Sequence, residues 1–271
     1  MDTKRLELAV FLLNILIIAV AIACIVGMIF MASWGTKQIF KSENPPPPEE
    51  KPLPDKEFIS ASVSLGDTPD YGQAYINGIV FIGDSTVSQM ASCDILSGGK
   101  ETKQIWTGDG GTLALDFGID ASMIVYPETN EKMTVGDAAA TKRPDHVIIT
   151  LGINNGVSAC NEEKFKAYYQ KIIDAVKENS PTTKIILQSI LPISDKKDRD
   201  SKTLSNQKID EANEWIRALA YENGIRYLDS ASVIKNSNGA LDKKFDSGDG
   251  LHPNADGYGE ILKYIRTHGH P

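Results

Sequence analysis

The sequence is poor in cysteine, in clustered positive charge and in metal-ligand spacings. Three cysteines in 271 residues are too few for a disulfide scaffold. Cys24 lies in an apolar segment, which leaves Cys93 and Cys160, bridged or free, for the folded part. No set of His, Cys, Asp and Glu has metal-ligand spacing. The acidic run "DSGDG" (246–250) lacks the repeated oxygen-ligand pattern of a calcium loop. No internal repeat is evident. The chain carries a net −8, and residues 1–41 hold +2 of their own (Lys4, Arg5, Lys37 and Lys41 against Asp2 and Glu7), so residues 42–271 carry −10. That balance makes the domain a poor nucleic-acid binder, because phosphate contacts need clustered Lys and Arg.

What the sequence does have is order along its length. Leu8 to Thr36 is free of charge and mostly apolar, and about 20 such residues cross a bilayer as a helix. Trp34 stands where an interfacial aromatic would. The run is long for a cleaved signal peptide and has no clear small-x-small site. The "AIAC" at 21–24 faintly suggests a lipoprotein, but ten mostly apolar residues follow Cys24. We therefore expect a short tail at 1–7 and a transmembrane signal-anchor helix at 8–33. Lys4 and Arg5 against Lys37 and Lys41 nearly balance; the short tail and large C-terminal part favour a single-pass protein with its domain outside the membrane. Residues 34–57 follow as a Pro-rich stalk, whose four successive prolines favour extended polyproline II. A single domain is expected over 58–271.

Within that domain, apolar runs alternate with helical patterns. "GIVFIG" (78–83), "KQIW" (103–106), "HVIITLG" (146–152), "KIILQSIL" (184–191) and "IRYLD" (225–229) read as strands. Residues 161–178 place Phe165, Tyr168, Tyr169, Ile172, Ile173 and Val176 on one helical face, with Asn161 as a cap. Residues 204–223 repeat the pattern before Gly224, and a last amphipathic helix follows Pro253. The alternation predicts a three-layer α/β/α fold around a mostly parallel five-stranded sheet. Ligands of such sheets sit beyond the carboxyl ends of the strands.

Four segments lie there. "GDS" (83–85) is a normal strand-to-helix turn, yet it also puts the Ser85 hydroxyl at a helix N-terminus, where an oxyanion would be stabilised. "TGDGGT" (107–112) is a flexible loop, or a place where a backbone N–H approaches substrate; Gly110 is the first choice there, with Gly108 and Gly111 open. "LGINNG" (151–156) is a turn, or presents Asn154 as an uncharged amide donor. "DGLHPN" (249–254) is a loop before a helix, or supplies His252 as general base with Asp249 to orient it. His146 opens a strand, and His268 and His270 lie in the terminal tail, so they are weaker candidates.

In this order the four segments resemble the SGNH/GDSL hydrolase superfamily over roughly residues 75–268. The match departs at Asn155, where the family usually has Asp. A Gly-x-Ser-x-Gly elbow is absent, because Val87 stands where its last glycine would be. The resemblance implies a flavodoxin-like α/β/α sheet. It also implies Ser85 as nucleophile, an oxyanion hole from the Ser85 and Gly110 backbone N–H groups and the Asn154 amide, and a His252 base oriented by Asp249. It implies an ester hydrolase that needs no metal or cofactor; the acidic balance already argues against a nucleic-acid partner. Membrane attachment through the N-terminal helix makes an O-acylated cell-wall or other polysaccharide the expected substrate, with a small acyl ester second. An O-acyltransferase using the same triad and a non-catalytic glycan-binding module on the same scaffold are the alternatives.

Overall fold

The computed structural model describes residues 54–271; the expected tail, membrane helix and most of the stalk lie outside the described residues. Among the described residues no helix is long and apolar enough to cross a membrane.

Five parallel strands form the main sheet: β1 (Ile79–Gly83), β2 (Ile105–Trp106), β5 (His146–Thr150), β6 (Lys184–Gln188) and β7 (Arg226–Leu228), in the spatial order β2-β1-β5-β6-β7. All five coincide with the apolar runs read from the sequence. A second, two-stranded antiparallel sheet, β3 (Met123–Val125) with β4 (Lys132–Thr134), was not anticipated. Its strands are three residues long with only Ile124 buried, too short for an apolar period to register.

Alternate residues of each strand point to opposite faces, and the core divides accordingly. One face presents Val80, Ile82, Val147, Ile149, Ile185, Leu187 and Tyr227. It is covered by α1 (Lys56–Val63), α4 (Val135–Lys142), α6 (Glu162–Asn179) and α8 (Asn206–Asn223). The other presents Ile79, Phe81, Ile105, Ile148, Ile186 and Leu228 beneath α2 (Gly72–Asn77), α3 (Ser85–Ser92) and α9 (Ala255–Thr267). Two short helices, α5 (Gly156–Ala159) and α7 (Asp195–Asp200), follow β5 and β6. This is the expected three-layer architecture.

The long helices begin and end where local chemistry requires. Asn161 accepts from the Lys164 N–H at 3.1 Å, Ser205 caps α8 through the Lys208 N–H at 3.2 Å, and Gly224 closes α8 in the left-handed region at φ 63°. The last helix is capped by Asn254 through the Gly257 N–H at 3.0 Å, one residue after the proline that marked its start in the sequence. The folded unit starts earlier than residue 58: Asp55, placed in the stalk, caps α1, and Ile59 and Val63 of α1 are buried. Cys93 and Cys160 are both free thiols.

The strand order places the functional end. The chain leaves β1 for β2 on one side and later returns to β5 on the other, so the connections after β1 and β5 diverge. The crevice between their carboxyl ends is where open α/β sheets bind ligands.

Candidate active site

The turn from β1 into α3 is tightly built. A Cβ on Gly83 would lie 2.3 Å from Val87 Cγ2 and 2.4 Å from the Thr150 carbonyl oxygen, so only glycine lets α3 fold back this closely against β5. The helix cap is Asp84, not Ser85: its carboxylate accepts from the Thr86 N–H at 3.0 Å and from the Thr86 hydroxyl at 2.8 Å. Ser85 is the first helical residue, so its hydroxyl is free of capping duty. Its N–H is one of the first-turn donors a helix cannot satisfy internally, and it has no acceptor among the described residues.

Asp84 also reaches across the crevice. Only 1% of it is exposed. Burial pushes its carboxyl above the ordinary value, while hydrogen bonds from Thr86 and from the Asn154 and Ile153 N–H groups pull it back. The same carboxylate therefore holds the turn bearing Ser85 and the loop bearing Asn154. This role was not read from the sequence, where Asp84 passed as a turn residue; a buried acid beside a serine gives no periodic signal.

The second half of the site arrives from 167 residues away. His252 Nε2 lies 2.9 Å from Ser85 Oγ, and His252 Nδ1 lies 2.6 Å from Asp249 Oδ2. Asp249 Oδ1 accepts from the Leu251 and His252 N–H groups at 2.8 and 2.9 Å. Partial burial works to raise the Asp249 carboxyl, but the hydrogen bonds from the His252 ring and these two N–H groups outweigh it and hold the acid well below the usual carboxylate range. An ionised Asp249 accepts the Nδ1 proton, which leaves Nε2 with its lone pair toward the Ser85 hydroxyl. The loop is pinned by Asp246 Oδ1, which accepts from the Gly248 and Gly250 N–H groups at 2.8 and 2.9 Å. Behind the site, the Tyr258 hydroxyl donates to the Thr86 carbonyl at 2.5 Å and ties α9 to α3.

Asn154 is held by its backbone on both sides. Its N–H goes to Asp84, and its carbonyl accepts from the Leu115 and Gly156 N–H groups at 3.1 and 2.9 Å. Its carboxamide is half-buried and meets no protein partner among the described residues. Asn155, which replaces the family's Asp, is exposed at φ 66°; the position asks for a residue that tolerates left-handed backbone, which Asn does.

The glycine block separates into three different positions. Gly110 sits exposed at the tip of the turn at φ 68°, with open space where a Cβ would stand, and its N–H faces the Asp109 carboxylate. Gly111 lies against Ser88. Gly108 is buried, and a Cβ there would meet the Thr112 carbonyl oxygen at 1.9 Å. Extended two residues beyond β2, the pairing of Ile82 with Trp106 would set Gly108 level with Asp84. Of the three, Gly110 is exposed and Gly108 buried.

His146, His268 and His270 stand apart: His146 opens β5 at its amino end, where its Nε2 meets the His270 carbonyl at 2.6 Å. Among the described residues no three His, Cys, Asp or Glu side chains converge as a metal-sized group.

A model of the GDSL-like lipase/acylhydrolase family matches residues 81–259. A relative described as a multidomain esterase, from Ruminococcus flavefaciens, is 31% identical over 140 residues, 49% of this chain but 16% of that protein. Among solved structures, a protein provisionally described as a platelet activating factor, from Streptococcus pneumonia, is 19% identical over 78% of this chain and 91% of its own, with a TM-score of 0.49. A GDSL-like lipase from Bacteroides thetaiotaomicron is 20% identical over 68% of this chain and 83% of its own, with a TM-score of 0.43. The family match runs from within β1 to the start of α9 and takes in Ser85, Asn154, Asp249 and His252; the chain belongs to the GDSL-like lipase/acylhydrolase family.

Proposed function

We propose that this domain is a serine esterase that removes acyl groups, acetyl first among them, from a polysaccharide. The observation that carries the reading is the unbroken line from Asp249 through His252 to Ser85, at 2.6 and 2.9 Å. His252 Nε2 takes the Ser85 proton as Oγ attacks the ester carbonyl; the proton then passes to the departing alcohol oxygen. Water, deprotonated by the same nitrogen, attacks the acyl-enzyme and releases the carboxylic acid and free Ser85. Asp249 stays ionised and holds one tautomer throughout.

The tetrahedral oxyanion is met by the Ser85 N–H, the Asn154 carboxamide and one glycine N–H. For that third donor we favour Gly108 over Gly110, because Gly108 is buried and the extended pairing of β1 with β2 would set it level with Asp84. Each such donor is typically worth on the order of 100-fold or more in turnover. A polysaccharide substrate, and a location outside the membrane, rest on the apolar segment at 8–33 and the Pro-rich stalk.

The test is hydrolysis of p-nitrophenyl acetate by the full chain. Ser85→Ala and His252→Ala are each expected to lower kcat by about 1,000-fold or more. Native-like turnover in both variants would remove the triad from the mechanism.

A further inference from the structure

We propose that the cleft next to Asp249 binds an anionic unit of the substrate, so that the ester cleaved at Ser85 is carried by an acidic glycan. The inference rests on the esterase reading for the chemistry at Ser85, although binding in the cleft does not require it.

The cleft has a volume of about 520 Å³, within the range of small-molecule sites. One wall is Ser194 and α7, which follow β6; the other comes from Asn236, Leu241 and Lys243, which follow β7, and from Asp246 to Gly250 of the triad loop. Ser85 follows β1 and Asn154 follows β5, and β6 and β7 come next in the sheet. A polymer laid along this carboxyl edge with its ester at Ser85 continues into the cleft.

Four cations line it: Lys196, Lys197, Arg199 and Lys243. Among the described residues none of the four makes an ion pair with a carboxylate, and the Lys197 ammonium reaches only the Asp249 carbonyl, at 3.5 Å. Elsewhere Lys132, Lys142, Lys166, Lys171, Lys235 and Arg217 each meet an acid. Four acids also line the cleft, Asp195, Asp200, Asp246 and Asp249, and three of them are turned to other donors. Asp195 accepts from the Asn236 and Asn238 amides at 2.9 and 3.4 Å, Asp246 from Gly248 and Gly250, and Asp249 from His252. Asp200 is exposed at the rim. In a region of net −10, a cavity abutting the triad whose four cations match its four acids, with no ion pair between them, is positive relative to the rest of the domain. A guanidinium and three ammonium groups suit a carboxylate or phosphate carried by the sugar next to the esterified one, and they would steer such a chain toward Ser85.

The test uses the full chain and three oligomers of matched length: oligogalacturonate, oligomeric glycerol phosphate and xylo-oligosaccharide. Binding is measured by calorimetry at low salt on Ser85→Ala protein, and inhibition of p-nitrophenyl acetate hydrolysis on native protein. At least one anionic oligomer is expected to bind about tenfold tighter than the neutral one, weakening with salt; which one binds identifies the anion. The triple variant Lys196→Gln/Arg199→Gln/Lys243→Gln is expected to lose that preference while cleaving p-nitrophenyl acetate at the native rate. Equal binding of all three oligomers, or a preference that survives the triple substitution, overturns the assignment. A native protein no more active than Ser85→Ala would defeat the esterase reading instead, and the calorimetry would still decide the cleft.

Discussion

The two halves of the candidate site are built on opposite terms. The Ser85 half is rigid and buried: a glycine wedged against Val87 and Thr150, and a carboxylate 1% exposed that bonds both walls of the crevice. The His252 half is a surface loop, with the Asp249 side chain 49% exposed and two glycines at positive φ. The nucleophile is positioned by the sheet and the base by a loop that hydrogen-bonds to itself. In the first half, changes should damage the fold more than the chemistry; in the second, the chemistry more than the fold.

The largest effect that would test this contrast is on the loop side. Asp249→Asn is expected to lower kcat by about 1,000-fold or more, because the amide favours the wrong His252 tautomer, with a loss of stability at pH 7 smaller than that of Gly83→Ala. A comparable loss of stability would show that the loop is part of the core after all. Next comes Gly83→Ala, whose methyl group meets backbone oxygen and cannot be relieved by a rotamer change. It should cost about 3 kcal/mol, read by denaturant unfolding; a cost under about 1 kcal/mol would mean the turn yields.

The two carboxylates sharpen the contrast through pH. Asp249 is held below its unfolded value, so its contribution is present above about pH 4 and is lost as pH falls through the folded value. Asp84 is pushed up, so the stability tied to its protonated form is present below about pH 4 and is lost as pH rises through the folded value. Unfolding measured from pH 3 to pH 7 should therefore show Asp249→Asn becoming less stable relative to the native protein as pH rises, and Asp84→Asn becoming relatively more stable. Slopes of the same sign in both variants would contradict this account. The smallest effect is expected at Asn155→Gly, where an exposed residue already in the left-handed region is replaced by one at ease there. Stability should stay within about 0.5 kcal/mol, with turnover unchanged; a tenfold loss of kcat would give the side chain a function.

Legibility followed the physics of each element. The five parallel strands were readable because a strand buried on both faces is an unbroken apolar run, as in Ile79–Gly83 and His146–Thr150. The hairpin of Met123–Val125 with Lys132–Thr134 was not, because strands of three residues with a single buried side chain carry no period. α1 and α2 were missed because the stalk and the following Gly, Pro and Asp residues mask short helices. Ser85, Asn154, Asp249 and His252 were legible as residue types at the ends of elements. Asp84 was not, since a buried acid and a capping acid look alike in sequence.

By itself, the sequence determined the alternation of elements, the two-sided burial of the strands and the set of side chains available at the carboxyl edge, because hydrophobic period and capping preference are local properties. Only the tertiary structure decided that His252 meets Ser85 across 167 residues, that Asp84 rather than Ser85 caps the helix, and that Gly108 is buried while Gly110 is exposed. Those outcomes depend on strand register and on which groups burial leaves without water, and neither is a property of any segment alone.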